Sequence, residues 1–150
     1  MNKNYSKNKK AYHDYEIIEK LEAGISLTGS EVKSVRASNV QLKGSYVIIK
    51  DGEIKLVSAH ISRPDHIGNK PFDETRDRTL LIKKSEIKKL HDKVKLKGFT
   101  LVALNVYQRE GTRKIKVEIA LVKGKADHDK RAVLKEKQLT MDAKRDMKDY

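Results

Sequence analysis

No cysteine stands anywhere in the 150 residues, so the chain has no disulfide framework, no thiolate nucleophile and no sulfur-ligated zinc. A reducing compartment suits it. Long apolar runs are missing too. The longest, such as Tyr46-Val-Ile-Ile49 and Leu101-Val-Ala-Leu104, reach about four residues, against about 20 for a membrane span and 7 to 15 for a signal-peptide core. A soluble, non-secreted, cytoplasmic chain is expected, so the sequon Asn4-Tyr5-Ser6 has no route to glycosylation. Hydrophobic residues are scarce as well, at 37% against roughly 45 to 50% in ordinary globular domains. Part of the chain is therefore expected to lie outside any packed core.

What fills the sequence instead is charge of one predominant sign. Lys and Arg number 34 against 21 Asp and Glu, giving a net charge of +13 and a pI near 9.8. Such an excess marks a polyanion binder, with RNA, DNA or an anionic surface as its partner. The length suits one domain of roughly 100 to 200 residues with an appendage and excludes two catalytic domains.

Residues 1–13 contain Lys3, Lys7, Lys9 and Lys10, no acid and almost no aliphatic side chain, and read as a flexible basic arm. From Tyr15, the residues Ile17, Ile18, Leu21, Ile25 and Leu27 suggest a first strand ending near Gly29. Thr28-Gly-Ser-Glu31 has capping-box spacing and opens a short helix. Tyr46–Lys50 and Glu53–Val57 flank Asp51-Gly52, the strongest hairpin signal in the chain. Residues 62–79 hold both prolines and read as a long loop, and Leu80-Leu-Ile82 resumes a strand. A second helix is expected with Ser85 as its cap, Ile87, Leu90 and Val94 as its apolar stripe, and Gly98 as its stop. Leu101–Val106 and Ile115–Leu121 form a final hairpin across Gly111. About six short strands, two short helices and no βαβ alternation predict a mostly β fold: a small antiparallel oligonucleotide-binding barrel over 14–122. Residues 123–150 carry interleaved charges and only a thin stripe of Ala132, Leu139, Ala143 and Met147. They read as a basic C-terminal tail, disordered alone and helical when bound.

Catalytic patterns fail on inspection. Gly24-Ile-Ser-Leu-Thr-Gly29 begins like a phosphate-cradling loop, but Ser30-Glu31 stands where Lys and Ser or Thr are needed. Gly24 and Gly29 are better read as a bulge and a helix start. None of the histidines at 13, 60, 66, 91 and 128 pairs with another at metal-ligand spacing. No catalytic residue, metal or cofactor is expected. Three basic surfaces remain. In the run from Asn8 to Tyr15, lysines mix with Tyr12, His13 and Tyr15, rings that would stack on bases or, for Tyr15, enter the core. Residues 76–97 crowd lysines on the polar side of the second helix. The tail supplies the third.

Several stretches together, in order along nearly the whole chain, resemble the bacterial small protein B family, which binds transfer-messenger RNA. They are Asn8-Lys-Lys-Ala-Tyr-His-Asp-Tyr15, Leu21-Glu-Ala-Gly24, Gly29-Ser-Glu-Val-Lys-Ser-Val-Arg36, Ser45-Tyr-Val47, His60-Ile-Ser62 and Gly124-Lys-Ala-Asp-His-Asp-Lys-Arg131. Gln41, Gly44 and Asp146-Met147 depart from the family's habits. The resemblance implies an oligonucleotide-binding barrel, without catalysis, that grips the tRNA-like part of transfer-messenger RNA. It would accompany that RNA, with elongation factor Tu, into a stalled ribosome. A monomer with no membrane partner is expected. By position, Asn8, Lys9, Lys10, His13, Tyr15, Glu22, Lys33, Arg36 and Leu81 would fall to the RNA side. Gly124, Lys125, His128, Asp129, Lys130 and Arg131 would fall to the ribosome side, at the decoding centre and messenger channel of the small subunit.

Two rivals are a generic single-stranded or ribosomal RNA-binding barrel and a basic nuclease. Every phosphate neutralised by a lysine or arginine adds roughly 0.7 to 0.9 to the slope of log affinity against log salt. Titration of the RNA complex at several salt concentrations should therefore give a steep slope, and a flat one would exclude the polyanion reading.

Overall fold

The computed structural model describes residues 2–124. Among them β1 (Lys3–Lys7), α1 (Lys9–Asp14) and β2 (Tyr15–Ile25) are followed by α2 (Gly29–Arg36), β3 (Val40–Gln41), β4 (Tyr46–Lys50), β5 (Glu53–Val57) and β6 (His60–Ile61). After a single 3-10 turn at Asp65–Ile67 come β7 (Arg78–Leu81), α3 (Lys84–Val94), β8 (Phe99–Gln108) and β9 (Ile115–Gly124). The main sheet runs β1-β8-β4-β5-β7-β2-β9, and β8 pairs again with β9, which closes a ring of antiparallel strands. This is the mostly β, oligonucleotide-binding-like barrel that the sequence predicts. The short pair β3 and β6 forms a separate two-stranded sheet.

The local signals act as their chemistry requires. Asp51 and Gly52 take φ of 53° and 76°, the left-handed pair that matches a tight hairpin to strand twist. Thr28 and Glu31 make the full capping box of α2. By contrast, α3 starts from Lys83 with no side-chain cap, so Ser85 does not play that role. Gly24 lies inside regular pairing with both β7 and β9 and makes no bulge.

Residues 1–13 are not a mobile arm over their described length. β1 pairs with β8 over Lys3–Lys7, Tyr5 is buried, and Asn8 ties the following helix to the barrel. Composition could not reveal this, because the strand relies on backbone pairing to a partner about a hundred residues away, with Tyr5 its one buried side chain. The barrel also extends to Gly124, past the expected edge at Val122. The tail expected over 123–150 lies outside the described residues from 125 onward.

Both faces of part of the sheet are covered. Inside, Ile54, Leu56, Leu80, Leu101, Val117 and Ile119 pack with Ile87 and Leu90 of α3, which plugs the barrel. Outside, Ala11 of α1 and Tyr15 pack on Val102, Leu104, Ala120 and Val122. This double coverage is why Leu101–Leu104 and Ile119–Val122 are continuous apolar runs rather than alternating ones. A register shift between Ala103 and Asn105 then restores Asn105 and Tyr107 to the outer face.

The deepest polar feature is ionic. Arg78 is fully buried and Glu31 is 1% exposed. Arg78 Nε donates to Glu31 Oε2 at 2.9 Å, with Nη2 2.8 Å from the same oxygen; Nη1 donates to the Ala59 carbonyl at 2.7 Å and Nη2 to that of Glu74 at 3.2 Å. Arg76 Nη2 reaches Glu31 Oε1 at 2.6 Å, and the Thr28 backbone N–H donates to the same oxygen at 2.9 Å. Burial pushes the Glu31 carboxyl up, but Arg76, the Thr28 N–H and Arg78 outweigh it and hold the group below its ordinary 4.5. A depressed folded value means that the stabilisation is complete above the ordinary value and is lost as pH falls through the folded one. Glu31→Gln should cost about 3 to 5 kcal/mol in denaturant titration, the scale for unpairing a buried ion. It should also flatten the acid limb of the stability profile.

Candidate nucleic-acid interface

Strand pairing assembles one outer surface from four strands. The register Glu22↔Glu118 and Asn105↔Glu118 aligns one row, and Leu81↔Gly24, Gly24↔Lys116 and Tyr107↔Lys116 align the next. Two carboxylates thus face each other in the middle of a basic protein. Each is held separately. The Tyr107 hydroxyl donates to Glu22 Oε2, and Arg109 Nη1 lies 3.5 Å from Oε1. Glu118 accepts from the Asn105 amide at 2.9 Å and from the Tyr12 hydroxyl at 3.5 Å, with Lys20 at 3.9 Å. Burial, the hydrogen bond to Glu22 and the neighbouring carboxylate charges push the Tyr107 phenol well above its ordinary value. It therefore stays a donor and fixes the Glu22 carboxylate in place.

Around these rows the apolar and cationic groups differ in kind. Leu81 is 59% exposed, a large aliphatic side chain left in water beside the carboxylates. Gly24 makes room for it, since a Cβ there would lie 3.2 Å from the Leu81 Cβ. On α1, Lys9, Lys10 and His13 are exposed, with His13 Nδ1 3.0 Å from Asp14. The ammonium groups of Lys7 and Lys20 sit 4.9 and 5.7 Å from the centre of the Tyr12 ring. At the far end, Arg36 of α2 donates to the Arg113 carbonyl in the β8–β9 turn at 2.9 Å, and Lys33 is exposed one turn earlier.

Glu22 and Leu81 therefore come together in the strand rows. Lys9, Lys10 and His13 lie on α1, which packs on the same outer side, and Arg36 of α2 reaches the β8–β9 turn. The partners of Glu22 are Tyr107 and Arg109. Two expectations are corrected. Tyr15 is 3% exposed within the outer apolar cluster, so its ring serves packing and is not free to stack on a base. The Asn8 side chain is buried and occupied internally: Oδ1 accepts from the Ala11 N–H at 3.1 Å, and the amide donates to the carbonyls of Ala103 at 3.0 Å and Leu42 at 3.4 Å. Gly124 is the buried last residue of β9, opposite Tyr15. Lys125, His128, Asp129, Lys130 and Arg131 lie outside the described residues. Sequence reasoning missed Tyr107, Arg109, Asn105 and Glu118. Alternation along β9 offered Glu118, but the register shift in β8 concealed the others.

Among the described residues, no group of three or more His, Asp or Glu side chains could hold a metal ion. No helix there is long and apolar enough to cross a membrane.

A family model described as SmpB protein matches residues 5–149. The chain belongs to the SmpB family. An SsrA-binding protein of Sulfurihydrogenibium is 50% identical over 141 residues, 94% of this chain and 91% of the relative. One from Streptococcus agalactiae is 46% identical over 145 residues, 97% and 92%, and one from Streptococcus pyogenes 49% over 146, again 97% and 92%. A solved SmpB chain, described with tmRNA at the center of the bacterial ribosome, superposes with a TM-score of 0.67. It has 40% identity, and the match covers 85% of this chain and 92% of that one. SmpB membership places the resemblance read from the sequence on a quantitative footing.

Tyr15→Ala should lower stability by about 3 to 5 kcal/mol in thermal or denaturant unfolding, the scale for truncating a buried aromatic. Lys10→Ala, at an exposed position, should stay within about 0.5 kcal/mol.

Proposed function

We propose that this SmpB chain binds the tRNA-like part of transfer-messenger RNA and carries it, with elongation factor Tu, to stalled ribosomes for trans-translation. The observation that carries this reading is family membership over nearly the whole chain, with relatives that are SsrA-binding proteins and a solved relative described with tmRNA in the ribosome. The outer face suits such a task. Lys9, Lys10, His13, Lys33 and Arg36 supply cations that position a phosphate backbone without reading sequence. Glu22, a fixed acceptor, discriminates by taking base amino protons, and Leu81 supplies an apolar contact beside it. A carboxylate adds nothing to phosphate attraction, so its place at the centre favours a specific RNA over any polyanion. The protein acts as a binding protein rather than an enzyme, as a monomer in the cytoplasm.

Labour divides at Gly124. The barrel holds the RNA, while the segment from Lys125 through His128, Asp129, Lys130 and Arg131 to the C-terminus works at the decoding centre and in the messenger channel. Glu22→Ala or Leu81→Ala in the full chain should weaken binding of the tRNA-like RNA by about tenfold, the scale of one lost base contact. A chain ending at Gly124 should keep nearly all of that affinity and lose tagging of incomplete proteins, and the Lys130→Ala, Arg131→Ala double variant should do much of the same. Equal binding of unrelated RNAs at moderate salt would point instead to a generic RNA-binding barrel.

A further inference from the structure

One residue of the outer face breaks a rule of sheet pairing. Glu118 of β9 lies directly opposite Glu22 of β2, and like charges placed opposite each other across antiparallel strands destabilise a sheet. No shared cation relieves the pair. Lys20 stands 3.9 Å from Glu118 and Arg109 stands 3.5 Å from Glu22; both cations are about half-exposed, and exposed pairs contribute little. Folding alone does not account for a second carboxylate at this position.

What the fold supplies instead is orientation. Asn105 Nδ2 donates to Glu118 Oε1 at 2.9 Å, the Tyr12 hydroxyl reaches the same oxygen at 3.5 Å, and Asn105 also donates to that hydroxyl at 3.0 Å. All of these groups converge on Oε1. Among the described residues none bonds Oε2, and the side chain keeps 28% of its surface exposed. Glu22 is arranged in the same way: the Tyr107 hydroxyl holds Oε2, while Oε1 has only the long contact to Arg109. Each carboxylate thus has one oxygen fixed by the fold and one left as an acceptor.

We propose that Glu118 is a second specificity-determining residue of the outer face, which accepts from a base amino group on the nucleotide next to the one read by Glu22. The inference rests on the proposed function, since it takes the outer face to be where the tRNA-like RNA lies. A carboxylate only accepts, so its partners in RNA are base amino groups and ribose hydroxyls. Every ribose offers a hydroxyl, whereas amino groups differ from base to base, and only the latter distinguish one RNA from another. Side chains opposite each other on neighbouring strands stand about 5 Å apart, comparable to the separation of adjacent bases in a strand. With one open oxygen each, the two carboxylates serve two donors; capture of a single guanine edge would occupy both oxygens of one carboxylate.

The test uses Glu118→Gln in the full chain. The isosteric amide keeps its carbonyl oxygen on Asn105 and presents its NH2 where Oε2 stood, which turns an acceptor into a donor. Affinity is measured for the tRNA-like RNA and for an unrelated RNA hairpin of equal length. Binding of the first should weaken about tenfold, while the second holds or tightens slightly, because a negative charge has left a basic surface. A Glu118 without this role gives the opposite sign on the tRNA-like RNA; that result, or an equal loss on both RNAs, would overturn the proposal. The partner is located by replacing guanosine with inosine, adenosine with purine riboside and cytidine with pyrimidinone riboside, one position at a time, each of which removes a single amino group. With the unaltered protein two adjacent positions should each cost about tenfold. One should cost nothing further in Glu118→Gln and the other nothing further in Glu22→Gln. The scan on the unaltered protein decides the matter even if Glu118→Gln melts early: one sensitive position, two distant ones, or sensitivity to 2′-deoxy substitution alone would each overturn the second reading residue. If the unaltered protein showed no preference for the tRNA-like RNA, the functional reading would fall on that separate measurement.

Discussion

A single buried carboxylate joins the parts of this molecule that have to agree. Glu31 caps α2 and at the same time accepts from Arg76 and Arg78, so the start of a helix, the end of the long loop and the first residue of β7 are fixed to one group. Arg78, with no exposure, continues the connection to the Ala59 and Glu74 carbonyls. Removing such charges from water is costly, and the cost is recovered only when every donor has a partner at good geometry. The consequence reaches the surface. α2 carries Lys33 and Arg36, and β7 carries Leu81, three residues beyond Arg78. The positions of Lys33, Arg36 and Leu81 are therefore tied to one ionic centre.

The outer face itself shows how a protein with a net charge of +13 limits what it attracts. Lysines around the edge provide long-range attraction that falls with salt and does not distinguish one RNA from another. Glu22 and Glu118 sit at the centre, each satisfied by its own donors, and can face each other because those donors offset the repulsion. Under the proposed function these carboxylates disfavour a phosphate and accept from a base amino group. In that reading attraction falls to the helices and discrimination to the strands of the outer face.

The barrel has two differently equipped ends. α2 and the β8–β9 turn meet at Arg36 and Arg113, while α3 plugs the core with Ile87 and Leu90 and turns its lysines outward. β9 ends at Lys123 and Gly124, opposite Phe99 of β8 and Tyr15 of β2. A closed ring keeps these surfaces at fixed separations.

Much of this was readable from local chemistry. The excess of lysine, the Asp51-Gly52 hairpin, the Thr28 to Glu31 capping box and the stripe of Ile87, Leu90 and Val94 each involve residues close together in the chain, and each acts in the structure as its spacing predicts. So does the barrel class, since short strands without crossover helices leave few alternatives. What the sequence could not decide were matters of long-range pairing. Residues 3–7 look like a solvated arm until β8 supplies the other half of their hydrogen bonds. Tyr15 and Asn8 look like surface contacts until α1 folds over the outside of the sheet and buries both. Glu31 reads as a cap because the arginines that complete its site lie forty-five and forty-seven residues away. Tyr107 and Asn105 reach the outer face only because β8 carries an extra residue, a shift set by its pairing with β9. Composition and spacing fix what a short segment prefers; which side chains meet across the barrel depends on closure of the ring, and only the folded chain contains that information.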